Sequence, residues 1–148
     1  MIIRIAAPED VDSLVEFNQA MALETEGKHL DDAILRRGVS AVFADQSKGF
    51  YVVADEGGRI DGGLLVTYEW SDWRDKWFWW IQSVFIRPEA RGHKMYTKLY
   101  DFIKARADES GNVCGFRLYV ESTNSRAQRV YERVGMQASH YLMYEEEV

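Results

Sequence analysis

The chain has a single cysteine, Cys114, so no internal disulfide can form, and a reducing cytosol is the simplest home for it. With only three histidines beside that thiol, no cysteine–histidine cluster has zinc-like spacing, and no metal is expected. Cys114 itself reads as a small hydrophobe entering a strand. Long apolar runs are missing too: Met1-Ile2-Ile3-Arg4-Ile5 leads directly into an alternating segment, unlike a signal peptide or a membrane span, so no membrane partner is expected. Basic residues are the minority, 18 against 24 acidic ones, for a formal net charge of -6. Nonspecific nucleic-acid binding needs a broad basic surface to neutralise phosphates, so that class is set aside, and a cationic small molecule suits the charge better. There is no internal repeat, no low-complexity tract and no composition shift that would mark a linker. At 148 residues the chain is expected to form one domain, 1–148.

What is present suffices for a buried core: 47% of the residues are hydrophobic and 14% aromatic. Ile3 and Ile5 begin a short strand, and Pro8-Glu9-Asp10 opens a helix with proline and acids in its first turn. Val11, Leu14, Val15 and Met21-Ala22 form the stripe of that helix, and Leu35, Val39, Val42 and Phe43 that of a second, from about Asp31. Phe50–Ala54, Ile60–Glu69 and Trp77–Ile86 read as successive antiparallel strands, with Gly62-Gly63 marking a bulge or a close backbone approach. A helix through Met95, Leu99, Phe102 and Ile103, a strand at Phe116–Val120, a helix through Ala127, Val130, Tyr131 and Val134, and a closing strand at Tyr141–Tyr144 complete the order.

Two stretches carry the chemistry. In Ser83-Val84-Phe85-Ile86-Arg87-Pro88-Glu89-Ala90-Arg91-Gly92-His93-Lys94 a strand stops at proline, and a basic, glycine-containing turn opens an amphipathic helix. Free N–H groups at the positive end of the helix dipole, beside Arg91, His93 and Lys94, suit a phosphate. In Asn124-Ser125-Arg126-Ala127-Gln128-Arg129-Val130-Tyr131-Glu132-Arg133-Val134-Gly135-Met136 a capped helix carries a tyrosine. Together they point to an acyl-coenzyme A enzyme.

The element order and these stretches resemble the GNAT N-acetyltransferase superfamily over nearly the whole chain. Val-x-Ile-x-Pro-x-x-Arg-Gly is matched by Val84 to Gly92, and Asn-x-x-Ala-x-x-x-Tyr-x-x-x-Gly by Asn124, Ala127, Tyr131 and Gly135. The resemblance implies an α/β fold with a mixed, mainly antiparallel sheet of about six or seven strands flanked by helices, its central parallel strands splayed. It implies acetyl-coenzyme A as cosubstrate, held at Val84, Phe85 and Ile86 through the pantetheine arm and at Arg91, Gly92, His93, Lys94, Met95, Tyr96 and Thr97 through the pyrophosphate. Asn124 would cap its helix and reach the pantetheine amides, and Tyr131 would protonate the leaving thiolate.

The chain departs from the family pattern in two places. Lys94 and Tyr96 stand where small residues are usual, so backbone either adopts the required shape with side chains turned outward, or the phosphate grip is altered. Trp80 and Gln82 stand where many relatives carry the general base, and neither can take a proton from an ammonium. Glu24, Glu26 and Glu69 are the carboxylates expected at the acceptor side, and Trp70, Trp73 or Trp80 can line a pocket there while most hairpin aromatics simply fill a core. His29 and His140 have no partner at catalytic spacing, and Glu145-Glu146-Glu147 reads as a solvated tail.

The leading expectation is acetyl transfer to a primary amine of a small molecule by direct attack in a ternary complex. A non-catalytic acyl-coenzyme A-binding module is the rival, against which Tyr131 speaks, and a protein-lysine or amino-terminal acetyltransferase shares the chemistry. Oligomeric state is left open, a homodimer included.

Overall fold

The alternating segments pair into one sheet whose spatial order follows the chain. A computed structural model describes residues 1–148, with strands β1 (Ile2–Ile5), β2 (Phe50–Glu56), β3 (Arg59–Ser71), β4 (Lys76–Ile86) and β5 (Val113–Arg117) in the order β1-β2-β3-β4-β5. β1 to β4 are antiparallel neighbours, and β5 joins β4 in parallel after the crossover through a helix. The helices are α1 (Val11–Glu26), α2 (Asp32–Ala44), α3 (Met95–Ser110) and α4 (Ser125–Arg133). This is the mixed α/β architecture expected from the sequence, with five strands rather than six or seven.

Strand alternation divides the core between the two faces of the sheet. Tyr51, Val53, Ile60 and Phe85 point toward α1 and α2, where Leu14, Val15, Phe17 and Val39 cover them. Val52, Ala54, Leu64, Val66, Trp79 and Ile81 point the other way, under Leu99 and Ile103 of α3. α4 buries no residue fully, although Val130, Tyr131 and Val134 lean on that second cluster. Arg4 ties the amino-terminal strand to both Asp10, at 2.8 Å, and Asp55, at 3.0 Å. Burial pushes the Asp10 carboxyl up, but bonds from Arg4 and from the Ala7 N–H outweigh it, and the group titrates below its ordinary value.

The structure corrects two expectations from the sequence and resolves a third. Tyr141–Tyr144 forms no strand; its side chains are exposed, Leu142 by 82%. Four apolar-looking residues in a row suit a strand only where a neighbouring edge is in register to receive them. The fifth strand lies three residues earlier than expected, at Val113–Arg117 in place of Phe116–Val120, so Cys114 is inside it. Its start is set by Trp77, whose N–H bonds the Asn112 carbonyl at 2.9 Å. Gly62 and Gly63 serve both suggested purposes: the β3–β4 register shifts beside Gly63, and a Cβ on Gly63 would stand 3.0 Å from the Val52 carbonyl oxygen.

Candidate active site

β4 and β5 pair only from Trp77 to Trp80, against Val113 to Arg117, and then separate. β4 runs on to Ile86 with β3 as its sole partner, while Leu118 to Val120 belong to no strand. The cause is local. Ser83 has a φ of 52°, and it shares with Val84 the space opposite Leu64, a bulge that twists the strand away from its neighbour. Val84 and Ile86 pack toward α3, Phe85 toward α1, and their peptide groups on the side facing β5 are left for a ligand.

At the end of this cleft the chain turns into α3. No acceptor lies within hydrogen-bonding distance of the consecutive N–H groups of Gly92, His93, Lys94, Met95, Tyr96 and Thr97. An ordinary helix start leaves about four such groups; this longer row, at the positive end of the α3 dipole, can hold a diphosphate. Gly92 has a φ of 83° and Lys94 a φ of 58°, both left-handed. Lys94 thus takes a glycine-like conformation with a side chain attached. Met95 and Tyr96 place their side chains in the core and offer only backbone, whereas His93 and Lys94 are exposed beside the turn. Arg91 points back: its Nε donates to the Ile86 carbonyl at 2.9 Å, and its Nη1 and Nη2 grip Glu24 at 2.7 and 2.9 Å. It joins the end of β4 to α1.

On the other wall, the Asn124 side chain accepts from the Ala127 N–H at 3.0 Å and so caps α4. Tyr131, one half-turn short of the helix end, meets the Tyr96 ring edge-on with centroids 5.2 Å apart. Burial raises the Tyr131 phenol above its ordinary value, so it holds its proton at neutral pH and is available as an acid. The Tyr96 hydroxyl behind it is buried without a hydrogen-bond partner.

The face of the sheet opposite α3 is open along the first half of β4. There Thr67 accepts from Gln82 Nε2 at 2.6 Å, and Glu69 Oε1 accepts from both Trp80 Nε1, at 2.8 Å, and Arg117 Nη1, at 2.9 Å. Sequence-expected Glu69, Trp80 and Gln82 are therefore neighbours, because directly opposed residues of β3 and β4 share a face. Glu24 is elsewhere: Arg91 holds its carboxyl below the ordinary value, and it lines a cleft with Phe85 and Arg87. Glu26 is exposed at the end of α1, 3.9 Å from Lys28. Trp70 and Trp73 are 49% and 88% exposed near the hairpin turn, while Trp79 is core.

Arg117, Thr67 and Arg74 escaped the sequence reading. Arg117 had a signal, a charge inside the apolar run Cys114 to Val120, where a buried strand would carry none. The other two had none: strand register brings Thr67 to this face, and the β3–β4 turn lays Arg74 over Phe78.

Known proteins share this fold. The family model described as acetyltransferase (GNAT) family matches residues 11–136. An aminoalkylphosphonate N-acetyltransferase of Salmonella typhimurium is 29% identical over 142 residues, 94% of this chain and 86% of that protein. The structure of a possible acetyltransferase from Clostridium difficile 630 is 42% identical, with a TM-score of 0.92 over 99% of this chain and 97% of the other. A structure from Clostridium acetobutylicum, solved with acetyl-coenzyme A, shares the fold at 19% identity, with a TM-score of 0.80 over 98% and 95% of the two chains.

Proposed function

The chain belongs to the acetyltransferase (GNAT) family and is an acetyl-coenzyme A-dependent acyltransferase, and from that premise we propose that it acetylates the primary amine of a small molecule by direct attack in a ternary complex. The observation that carries the proposal is the opening of β4 from β5 beyond Trp80, flanked by the unbonded N–H row of Gly92 to Thr97 and by protonated Tyr131. The relative whose substrate is a small aminoalkyl compound supports a small acceptor.

Acetyl-coenzyme A, when bound, supplies an activated acyl group and a thiolate leaving group. The peptide groups of Val84, Phe85 and Ile86 orient the pantetheine arm in the opened cleft, and Asn124 offers its side-chain amide from the start of α4. The N–H groups from Gly92 to Thr97 bind the pyrophosphate, with Lys94 and His93 beside them and Arg91 bracing the turn from behind. Tyr131 gives its proton to the departing sulfur. On the acceptor side Glu69 is the carboxylate in place, with Oε1 engaged and Oε2 without a partner, so it takes the proton that the ammonium must lose, directly or through water. Trp80 and Gln82 shape that side and hold Glu69 and Thr67.

The test is a screen of small amines with acetyl-coenzyme A that detects released thiol. Thiol release that depends on a particular amine, and is accompanied by the acetylated amine in the mass spectrum, is the expected result. Acetylation confined to lysine or amino-terminal peptides would refute the small-molecule reading.

A further inference from the structure

The far end of the acceptor face has a chemistry that the amine does not need. A concavity of about 320 Å³ lies between the β3–β4 hairpin, Arg117 and the tail at His140–Tyr141. Phe78 lines it, with the Arg117 guanidinium carbon 3.6 Å from the ring centroid and that of Arg74 at 5.1 Å. The ring is fixed by its opposite number in the parallel ladder, Gly115, where even a methyl group would stand 2.8 Å from the ring. A guanidinium stacked on an aromatic ring keeps its in-plane N–H donors free for an oxyanion. Arg117 spends one of its five on Glu69, and the Arg74 side chain enters no hydrogen bond or ion pair. Glu69 therefore positions Arg117 while leaving Arg74 uncompensated. Asp72, the other carboxylate lining the concavity, is exposed and bonded to neither arginine.

Strand register sets the spacing. Arg117 is level with Trp80, and Phe78 is two residues further from the cleft. Measured from Gln82, these levels are about 7 and 13 Å along β4 at a rise of about 3.3 Å per residue.

We propose that Arg74 and Arg117, stacked about Phe78, form a subsite for an oxyanion at the far end of the acceptor. The substrate class is then a small zwitterion: an amine joined by a short chain to a carboxylate, phosphonate or phosphate. This rests on the reading that the chain acetylates a small amine, and it replaces the acidic pocket for a purely cationic acceptor that the sequence suggested.

The experiment is calorimetry on the coenzyme A-loaded protein with 2-aminoethylphosphonate, 4-aminobutyrate and 6-aminohexanoate, each against the plain alkylamine of matched length, followed by thiol release with the same compounds. At least one anion-bearing amine is expected to bind ten times or more tighter than its plain counterpart. Arg74→Gln, on the exposed hairpin, should collapse that ratio toward one, and Arg117→Gln likewise provided its melting temperature shows it folded. Equal binding of matched pairs, or a ratio unchanged by Arg74→Gln, overturns the subsite. The two readings fail separately. Discrimination in calorimetry with no thiol released from any amine removes the acetylation reading and keeps the subsite, whereas thiol release as fast from plain amines as from zwitterions keeps the reaction and removes the subsite.

Discussion

Replacing Lys94 by glycine separates two effects that the wild-type residue combines. The residue sits at φ 58° and ψ 31° immediately before α3, with no side-chain cap and no ion pair. A left-handed conformation costs a non-glycine residue about 1–2 kcal/mol. Glycine returns about 0.5–1 kcal/mol of that through the greater freedom of its unfolded chain. The net gain for Lys94→Gly is therefore about 0.5–1 kcal/mol without ligand, a rise of about 1–4 °C at about 2–4 °C per kcal/mol for a chain of this size. The ammonium is lost at the same time. An exposed charge about 4 Å from a phosphate contributes on the order of 1 kcal/mol, so coenzyme A should bind about fivefold more weakly, and less so at high salt. Lys94→Ala is the control, since it discards the charge and keeps the strain. Thermal melting without ligand and calorimetry with coenzyme A at two salt concentrations read both effects. A glycine variant that melts no higher than the alanine variant would refute the left-handed turn, and one that binds coenzyme A as tightly as wild type would refute the role of the ammonium.

Four other outcomes are expected. Tyr131→Phe should lower kcat by roughly 10²–10⁴ with coenzyme affinity nearly kept, measured by steady-state thiol release, and wild-type turnover would remove its role as acid. Tyr96→Phe deletes the unpartnered buried hydroxyl and should raise stability in denaturant by about 1 kcal/mol; a loss would mean that the hydroxyl is bonded. Burial raises the phenols of Tyr51, to about 12, and of Tyr96 and Tyr131, so the unfolded chain ionises first and stability should decline as pH rises above the ordinary value near 10. A melting temperature that stays flat to about pH 11, midway between the ordinary phenol value and that of Tyr51, would contradict their burial. For Asp10 the sign is opposite: its depressed value means that its contribution is complete above the unfolded carboxylate range and fades as pH falls through the folded value. Asp10→Asn should cost about 2–3 kcal/mol at neutral pH by urea unfolding, with the difference from wild type shrinking as pH falls below the ordinary carboxylate range.

Local signals in the sequence determined much of this. The periodicity of Leu14, Val15 and Val39 or of Leu99 and Ile103 needs only the repeat of a helix to announce a buried stripe, and those residues are the ones buried. Asn124 at its cap position and the proline–arginine–glycine turn are likewise legible, because capping and free helix-start donors depend on neighbours a few residues apart. Long-range register is a different quantity. That Glu24 answers Arg91 across 67 residues, that Glu69 meets Arg117 across 48, and that β4 leaves β5 beyond Trp80 depend on where strands meet in space. The tail at Tyr141–Tyr144 makes the same point, since its apolar pattern was that of a strand but only an edge in register could have made it one. The sequence by itself determined most of the elements, the glycine-containing turn before α3 and the capped helix that carries Tyr131, whose causes are local. Tertiary structure alone decided that Glu69 lies beside Trp80 and Arg117 and that Glu24 is held by Arg91 instead, because pairing between distant strands is settled by the packing of the whole sheet.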